Sequence, residues 1–171
     1  MKQKPQCISS RNIAFIKNVW RNAGKYPEWL DMTGEDTLFD KQMEFIGARF
    51  QIAPDAIVYW NPAAGFGELF QRTFRYARGN GQAILYVDKF IQLGVLYLII
   101  FFLCFLGLIT VKALWIALLL YSLYLIQCSV KLSHRQKKYG LIPMVWLVRP
   151  VMDMANISGY IFGFLSREDN A

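Results

Sequence analysis

Two uncharged apolar runs lie side by side in the chain, and they limit its possible folds more than any other feature. The first covers 90–111, between Lys89 and Lys112, and the second covers 113–130, between Lys112 and Lys131. A helix needs roughly 20 apolar residues to cross a bilayer, with a lower limit near 17. Because backbone groups in hydrocarbon must be bonded internally, and neither run alternates like a barrel strand, the sequence predicts a transmembrane helical hairpin.

Basic residues flank both ends of this hairpin, whereas Lys112 alone stands in its turn. Lys and Arg accumulate on the cytoplasmic side of membrane proteins, which predicts that both ends lie in the cytoplasm. We therefore expect a multi-pass protein of an inner or plasma membrane, with a cytoplasmic soluble part. The alternative, a hairpin buried in a soluble core, is disfavoured because a chain of 171 residues is too short to cover it. The flanking basic residues are Arg72, Arg75, Arg78, Lys89, Lys131, Arg135, Lys137 and Lys138.

The net charge and the few potential metal ligands indicate which partners the chain is expected to bind. The net charge is +7, and much of it adjoins the apolar runs, where each basic residue gains about 1 kcal/mol from anionic headgroups. We therefore expect membrane lipids as partners and no nucleic acid. The three cysteines have no metal-site spacing and His134 is the one histidine, so the sequence predicts no metal site of its own.

The residues before the hairpin predict a small mixed α/β layer. Apolar spacing indicates a helix that ends near Gly24 and a second helix that begins at Asp36 and ends at Gly47. Short strands are predicted at 49–53 and 56–60, on either side of a Pro-Asp turn. A third segment of aromatic residues and arginines begins at Leu69, and its pattern is predicted to break at Gly79, Asn80 and Gly81.

A last apolar segment, 141–165, is long enough to span a membrane. It contains Arg149 and Asp153, and prolines at 143 and 150, which make it a poor free helix. We expect it to lie in the membrane interface with its charged side in water, in preference to a third span.

Two adjacent carboxylates, Glu35 and Asp36, follow Thr33 and Gly34 at the predicted start of the second helix. One interpretation is structural, because a Thr hydroxyl can cap a helix and acids in the first turn suit the positive end of its dipole. The other interpretation is catalytic, and it depends on the order of motifs along the chain.

Five short motifs occur in a fixed order over about seventy residues: NIAF at 12–15, AGKYPEWL at 23–30, GED at 34–36, PDAIV at 54–58 and QRTFRYARGNG at 71–81. This order resembles the C-terminal half of the family-2 glycosyltransferases of the GT-A fold, in particular the membrane-attached enzymes that build exopolysaccharides or glycosylate lipid carriers. The resemblance implies three parts: the acceptor half of an α/β GT-A domain at 1–87, the transmembrane hairpin at 88–131 and the interfacial segment at 132–171.

The resemblance also implies roles for individual residues. Asp36 corresponds to the general base that takes the proton from the acceptor hydroxyl, with Glu35 orienting it or touching the acceptor. Sugar transfer would invert the anomeric configuration in one displacement. Gln71, Arg75 and Tyr76 stand where processive members carry Gln-x-x-Arg-Trp, although the gap here is one residue longer and Tyr replaces Trp, and Arg78 follows them on the same segment. These side chains would bind diphosphate or lipid phosphate, or stack on a sugar, and the departure favours single addition over polymerisation.

The donor-binding half of such an enzyme is missing from the sequence. The family implies a divalent metal, Mg or Mn, on the donor diphosphate, but its Asp-x-Asp ligand motif does not occur here. We therefore expect a fragment or a split protein that binds a nucleotide-sugar poorly by itself, with a lipid-linked or glycan acceptor. The alternative is a non-enzymatic membrane adaptor whose basic helices dock on anionic lipid.

Overall fold

The computed structural model describes residues 13–30, 33–51, 53, 55–59, 61–137, 140 and 142–167. Within these ranges every regular element is an α-helix. Asn12 and Pro54, which begin two of the motifs, lie outside the described residues, as does Lys138. The helices are α1 (Lys17–Asn22), α2 (Glu35–Phe45), α3 (Phe66–Gln82), α4 (Val87–Leu106), α5 (Val111–Gln136) and α6 (Ile142–Leu165).

The prediction of an α/β GT-A half-domain is wrong, because the described residues contain no sheet. The described parts of 49–53 and 56–60 form an irregular segment, in which the Ala56 N–H donates to the Ala53 carbonyl at 3.1 Å. Tyr59 is 93% exposed. Two short strands gain stability only from a further strand or a packed layer. Phe50 packs against the apolar cluster of α1 and α2, but no further strand lies among the described residues.

A small apolar cluster joins α1 to α2. Ala23, Phe39 and Met43 are buried in it, and the ring of Tyr26 stacks on Phe39 with centroids 4.4 Å apart. α2 begins at Glu35, one residue before the predicted start, and Gly47 follows it in the left-handed conformation at φ 70°, near the predicted end. This cluster holds the first turn of α2 in place.

α3 continues through Gly79, Asn80 and Gly81, where the sequence pattern predicted a break. Gly79 and Gly81 are buried. A Cβ on Gly81 would collide with the backbone carbonyl of Tyr160 on α6. The glycines therefore serve close helix contacts here, and tertiary packing overrides their low helix propensity.

α3 and α6 pack along their lengths through small residues. Each helix presents three of them at four-residue spacing, which lets two backbones approach closely. A Cβ on Gly159 would collide with the Phe74 carbonyl, and one on Gly163 with the Arg78 carbonyl. Since the contacts advance in the same direction on both helices, α3 and α6 run parallel. The small residues are Thr73, Ala77 and Gly81 on α3, and Ala155, Gly159 and Gly163 on α6.

α4 and α5 form the predicted hairpin. Both helices are long and apolar enough to cross a membrane, with 20 and 26 residues. Leu114 packs where a Cβ on Gly107 would lie, near the turn, and Tyr97 meets Tyr121 with ring centroids 6.3 Å apart. Much of the apolar surface is exposed, including Phe101 at 72%. These features support association with a membrane.

α6 is one continuous helix of 24 residues, although it contains Pro150. Pro143 lies in its first turn, where the missing N–H of a proline costs no helical hydrogen bond. The expectation that its charged side faces water is wrong for Asp153, which is fully buried. The reason is tertiary: α4 and α5 supply hydrogen-bond donors for this carboxylate.

Candidate functional site

The carboxylates Glu35 and Asp36 occupy the first turn of α2, where acids suit the positive end of the helix dipole. Gly34 is the N-cap residue, with the left-handed φ of 92° that glycine adopts without strain. The Oδ1 atom of Asp36 accepts a hydrogen bond from the Thr37 N–H at 2.8 Å. Both acids are partly exposed. The first turn therefore carries two partly exposed carboxylates, of which the Oε2 atom of Glu35 is buried without a hydrogen-bond partner among the described residues.

Thr33 does not cap α2, so this part of the structural interpretation is wrong. Its hydroxyl instead donates to the backbone carbonyl of Arg75, in the middle of α3, at 2.8 Å. The contact joins residues 42 positions apart in sequence. The loop before the acid pair, Thr33 and Gly34, is called the acid loop below, and this bond attaches it to α3.

This loop packs on Gly79 of α3. A Cβ on Gly79 would overlap the Thr33 carbonyl, and a Cβ on Gly34 would lie 3.1 Å from the backbone carbon of Gly79. Contacts this close between backbones require glycine. Two motifs that are far apart in the sequence, GED and the arginine-rich segment of α3, thus meet directly.

Replacing Gly79 by Ala is expected to loosen the loop that carries the acid pair, because the added methyl overlaps the Thr33 backbone. Hydrogen exchange at 33–38 should accelerate, and the thermal midpoint of the purified protein should fall. The matched control is Gly67→Ala on the same helix, where a Cβ meets nothing within 4 Å. Alanine there should leave the thermal midpoint unchanged or raise it slightly, because alanine loses less conformational freedom on folding than glycine. Equal hydrogen exchange and equal thermal midpoints in the two variants would contradict the close packing of this loop on Gly79.

Tyr26 is a member of the site that the residue assignments from the sequence missed. Its pKa is raised by burial, and further by the negative charges of Asp36 and Glu35. The phenol is therefore protonated at neutral pH and close enough to the acid pair to sense it. The available signal was its place in the AGKYPEWL motif, an aromatic residue after a Gly-containing turn.

The predicted binding residues of α3 divide into two groups. Gln71, Arg75 and Tyr76 are exposed, and Gln71 and Arg75 are one turn apart on the same face. Arg78 instead lies over the ring of Phe162 on α6, 5.3 Å from its centroid. The backbone of Arg75 thus contacts the acid loop. The side chain of Arg78 instead packs on α6.

Arg72 has a structural role at the start of α3. Its guanidinium pairs with Glu68 and donates to the Asn61 carbonyl at 3.1 Å. Glu68 also accepts the Ala64 N–H at 2.8 Å, and this bond, with Arg72, lowers the pKa of Glu68. This arrangement holds the chain that enters α3.

Two lysines converge on one tyrosine at the start of α4. The ammonium groups of Lys41, from α2, and Lys89, from α4, lie 4.9 and 4.5 Å from the ring centroid of Tyr86. Lys89 borders the first apolar run, so this pair of cations lies at the edge of the surface that suits a membrane. No pattern in the sequence links Lys41 to the membrane boundary, because it lies far from the apolar runs along the chain.

A shallow cavity of about 330 Å³ lies at the opposite end of α2. It is lined by the residues at the end of α1, 22–24, and by Gln42, Phe45 and Ile46 of α2 and its C-cap. Asp36 does not line it. The residues that the structure describes contain no group of three or more His, Cys, Asp or Glu side chains placed to hold a metal ion.

Comparison with known proteins finds no family model, no curated protein and no solved structure that matches this chain. The functional assignment therefore depends on the site itself and on the motif order.

Proposed function

We propose that this chain is the acceptor-side, membrane-anchoring part of an inverting glycosyltransferase of the family-2 type. It would act in the cytoplasm, on a lipid-linked or glycan acceptor at the membrane surface. The donor nucleotide-sugar would be bound by a partner or segment that supplies the missing donor half. The fold of the described residues is helical, so the proposal concerns the chemistry of the site and carries no claim to a GT-A sheet.

The observation that supports this proposal most is the contact between Thr33 and the Arg75 carbonyl. It brings two of the five motifs of the resemblance into contact, the segment of the acid pair and the arginine-aromatic helix. An acceptor needs both groups, because a base must receive its proton and cations must hold the phosphate of its lipid carrier.

The chemistry assigned to Asp36 is general-base catalysis. A sugar or lipid hydroxyl is a weak nucleophile near neutral pH, and a positioned carboxylate that accepts its proton accelerates attack by about 10²- to 10⁴-fold. The oxygen of the acceptor forms the new glycosidic bond while the bond to the nucleotide diphosphate breaks on the opposite face. Glu35 and Tyr26 flank this carboxylate and would orient the acceptor hydroxyl.

The cations of α3 would bind the phosphate of the acceptor or of the departing diphosphate. Arg75 and Gln71 share an exposed face, and a guanidinium binds phosphate oxygens through two parallel hydrogen bonds. The exposed ring of Tyr76 is suited to stack on a sugar. The proposal assigns no step to a metal ion, because it concerns only the side chains of this chain.

The experiment uses membranes from source cells with and without the coding sequence. Each preparation is incubated with a panel of labelled nucleotide-sugars, and the label extracted into organic solvent is measured. We expect one labelled product to disappear without the chain and to return when the chain is supplied on a plasmid. Identical product profiles across the panel would overturn the proposal.

A membrane adaptor is the second candidate, and the convergence of Lys41 and Lys89 on Tyr86 favours it. In this case the cations would bind anionic headgroups, with no chemistry at the acid pair. The adaptor predicts that Lys41→Glu weakens binding to anionic vesicles while labelled products stay unchanged. The transferase predicts a product that depends on the chain, whatever the vesicle affinity.

A further inference from the structure

The charged side chains of α6 face the protein interior. Asp153 is fully buried, and its Oδ2 atom accepts hydrogen bonds from the hydroxyls of Tyr124 at 2.6 Å and Tyr97 at 3.1 Å. Its Oδ1 atom lies 2.9 Å from the Arg149 Nε. Arg149 Nε also donates to the Tyr124 hydroxyl at 2.9 Å. The two carboxylate oxygens therefore face groups of α4, α5 and α6 itself, Oδ2 through hydrogen bonds and Oδ1 through the ion pair with Arg149.

The partners of Asp153 lie well inside the two apolar runs. At 1.5 Å per residue, Tyr97 is about 12 Å along α4 from Lys89, and Tyr124 is about 10 Å along α5 from Lys131. The hydrocarbon core of a bilayer extends roughly 15 Å on each side of its midplane. If α4 and α5 cross a membrane, Asp153 lies below the headgroups, and α6 enters the hydrocarbon with it.

The outward side of α6 is suited to lipid. Its exposed residues recur at helical spacing and are apolar except for Ser158, whose hydroxyl donates to the Met154 carbonyl of the same helix at 2.7 Å. A hydroxyl satisfied in this way needs no water, as membrane helices require. The exposed apolar residues on this stripe are Met144, Leu147, Met154, Ile161 and Leu165.

We propose that α6 is embedded in the hydrocarbon of the membrane, with this outward stripe on lipid acyl chains and the Arg149–Asp153 pair turned toward the hairpin. An interfacial helix would do the opposite, placing its charges in water and its apolar side on the membrane. Lipid is the occupant because α6 packs on both α4 and α5, so its stripe extends the exposed apolar surface of the two candidate spans. Ionisable groups in membranes face the protein interior and pair with one another, as these do.

This placement has a consequence for the site. α3 packs along α6, and the acid loop is seated on α3 at Gly79. The depth of α6 therefore fixes the height of Glu35 and Asp36 above the bilayer. The inference itself does not depend on sugar transfer and stands or fails separately from it.

The test uses the full chain with its cysteines replaced, reconstituted in lipid vesicles. A nitroxide is attached in turn at Leu147, Met154 and Ile161, with Phe101 on α4 as the lipid reference and Tyr59 as the water reference. Collision rates with oxygen, which partitions into lipid, and with a water-soluble nickel chelate are then measured. All five positions are exposed, so the labels displace no buried side chain.

We expect the ratio of oxygen to nickel collisions at Leu147 and Met154 to approach that at position 101, and the ratio at all three α6 positions to exceed that at position 59 several-fold. Ratios near the value at position 59 would overturn the proposal. Strong spin–spin coupling between copies of a label at Met154 would also overturn it, because a second copy of the chain would then cover the stripe.

Discussion

Replacing Asp36 by Asn is expected to lower the rate of sugar transfer by about 10²- to 10⁴-fold, since the amide keeps the shape of the carboxylate but does not accept the proton of the acceptor hydroxyl. The rate is measured as labelled product formed per unit time by membranes that carry the variant chain. The apparent affinity for the acceptor should change little, because the base acts in the transition state and other groups hold the acceptor.

Asp55→Asn is the matched control, because it makes the same chemical change at an exposed position outside the site. Its rate should equal that of the unchanged chain. The thermal midpoint of both variants should be measured as well, so that lost folding is not mistaken for lost chemistry. A folded Asp36→Asn variant with a near-normal rate would remove the base assignment and leave the adaptor as the better account.

Replacing Asp153 by Ala is expected to cost about 3–5 kcal/mol of stability, because it leaves the Arg149 guanidinium without its anion among packed helices. The partial exposure of Arg149 places the loss near the lower end. For a chain of this size, such a loss lowers the thermal midpoint by roughly 6–12 °C. The measurement is thermal unfolding of the full chain purified in lipid nanodiscs.

The double variant Arg149→Met with Asp153→Leu is the control for this prediction. It removes both charges and fills their volume with apolar atoms, so it should be considerably more stable than Asp153→Ala. Tyr124→Phe removes two hydrogen bonds to charged groups, the one donated to Asp153 and the one accepted from Arg149, and should cost at least about 1.5–3 kcal/mol. An Asp153→Ala variant as stable as the unchanged chain would show that the pair does not hold α6 to the hairpin.

These two predictions concern the two ends of one connected structure. Asp153 fixes α6 to α4 and α5, the parallel helix pair fixes α3 to α6, and Gly79 fixes the acid loop to α3. Each link depends on close contact between backbones or between buried polar groups. A change at position 153 is therefore expected to affect transfer through the position of Asp36, as well as through stability.

The sequence predicted those features that depend on neighbouring residues alone. The apolar hairpin follows from run length, and the structure has two helices there, Val87–Leu106 and Val111–Gln136. The second helix and its glycine end near residue 47 follow from apolar spacing. The acid pair was found from its motif, and its catalytic role remains a prediction.

Features that depend on distant partners were decided only by the tertiary structure. A strand at 49–53 needs another strand to pair with, and none lies beside it in the described residues, so local β-propensity misled the prediction. By propensity alone, Gly79 predicts the end of a helix. In the structure it lies inside α3, because the loop at Thr33 packs so closely on it that no larger residue fits. A charged residue such as Asp153 predicts a helix side that faces water. Here the hydroxyls of Tyr97 and Tyr124 replace water as its hydrogen-bond donors, and the sequence does not indicate that they lie beside it. The length of an apolar run can be read directly from the sequence. Burial and close approach depend on two surfaces that are distant in the sequence, so only the folded structure reveals them.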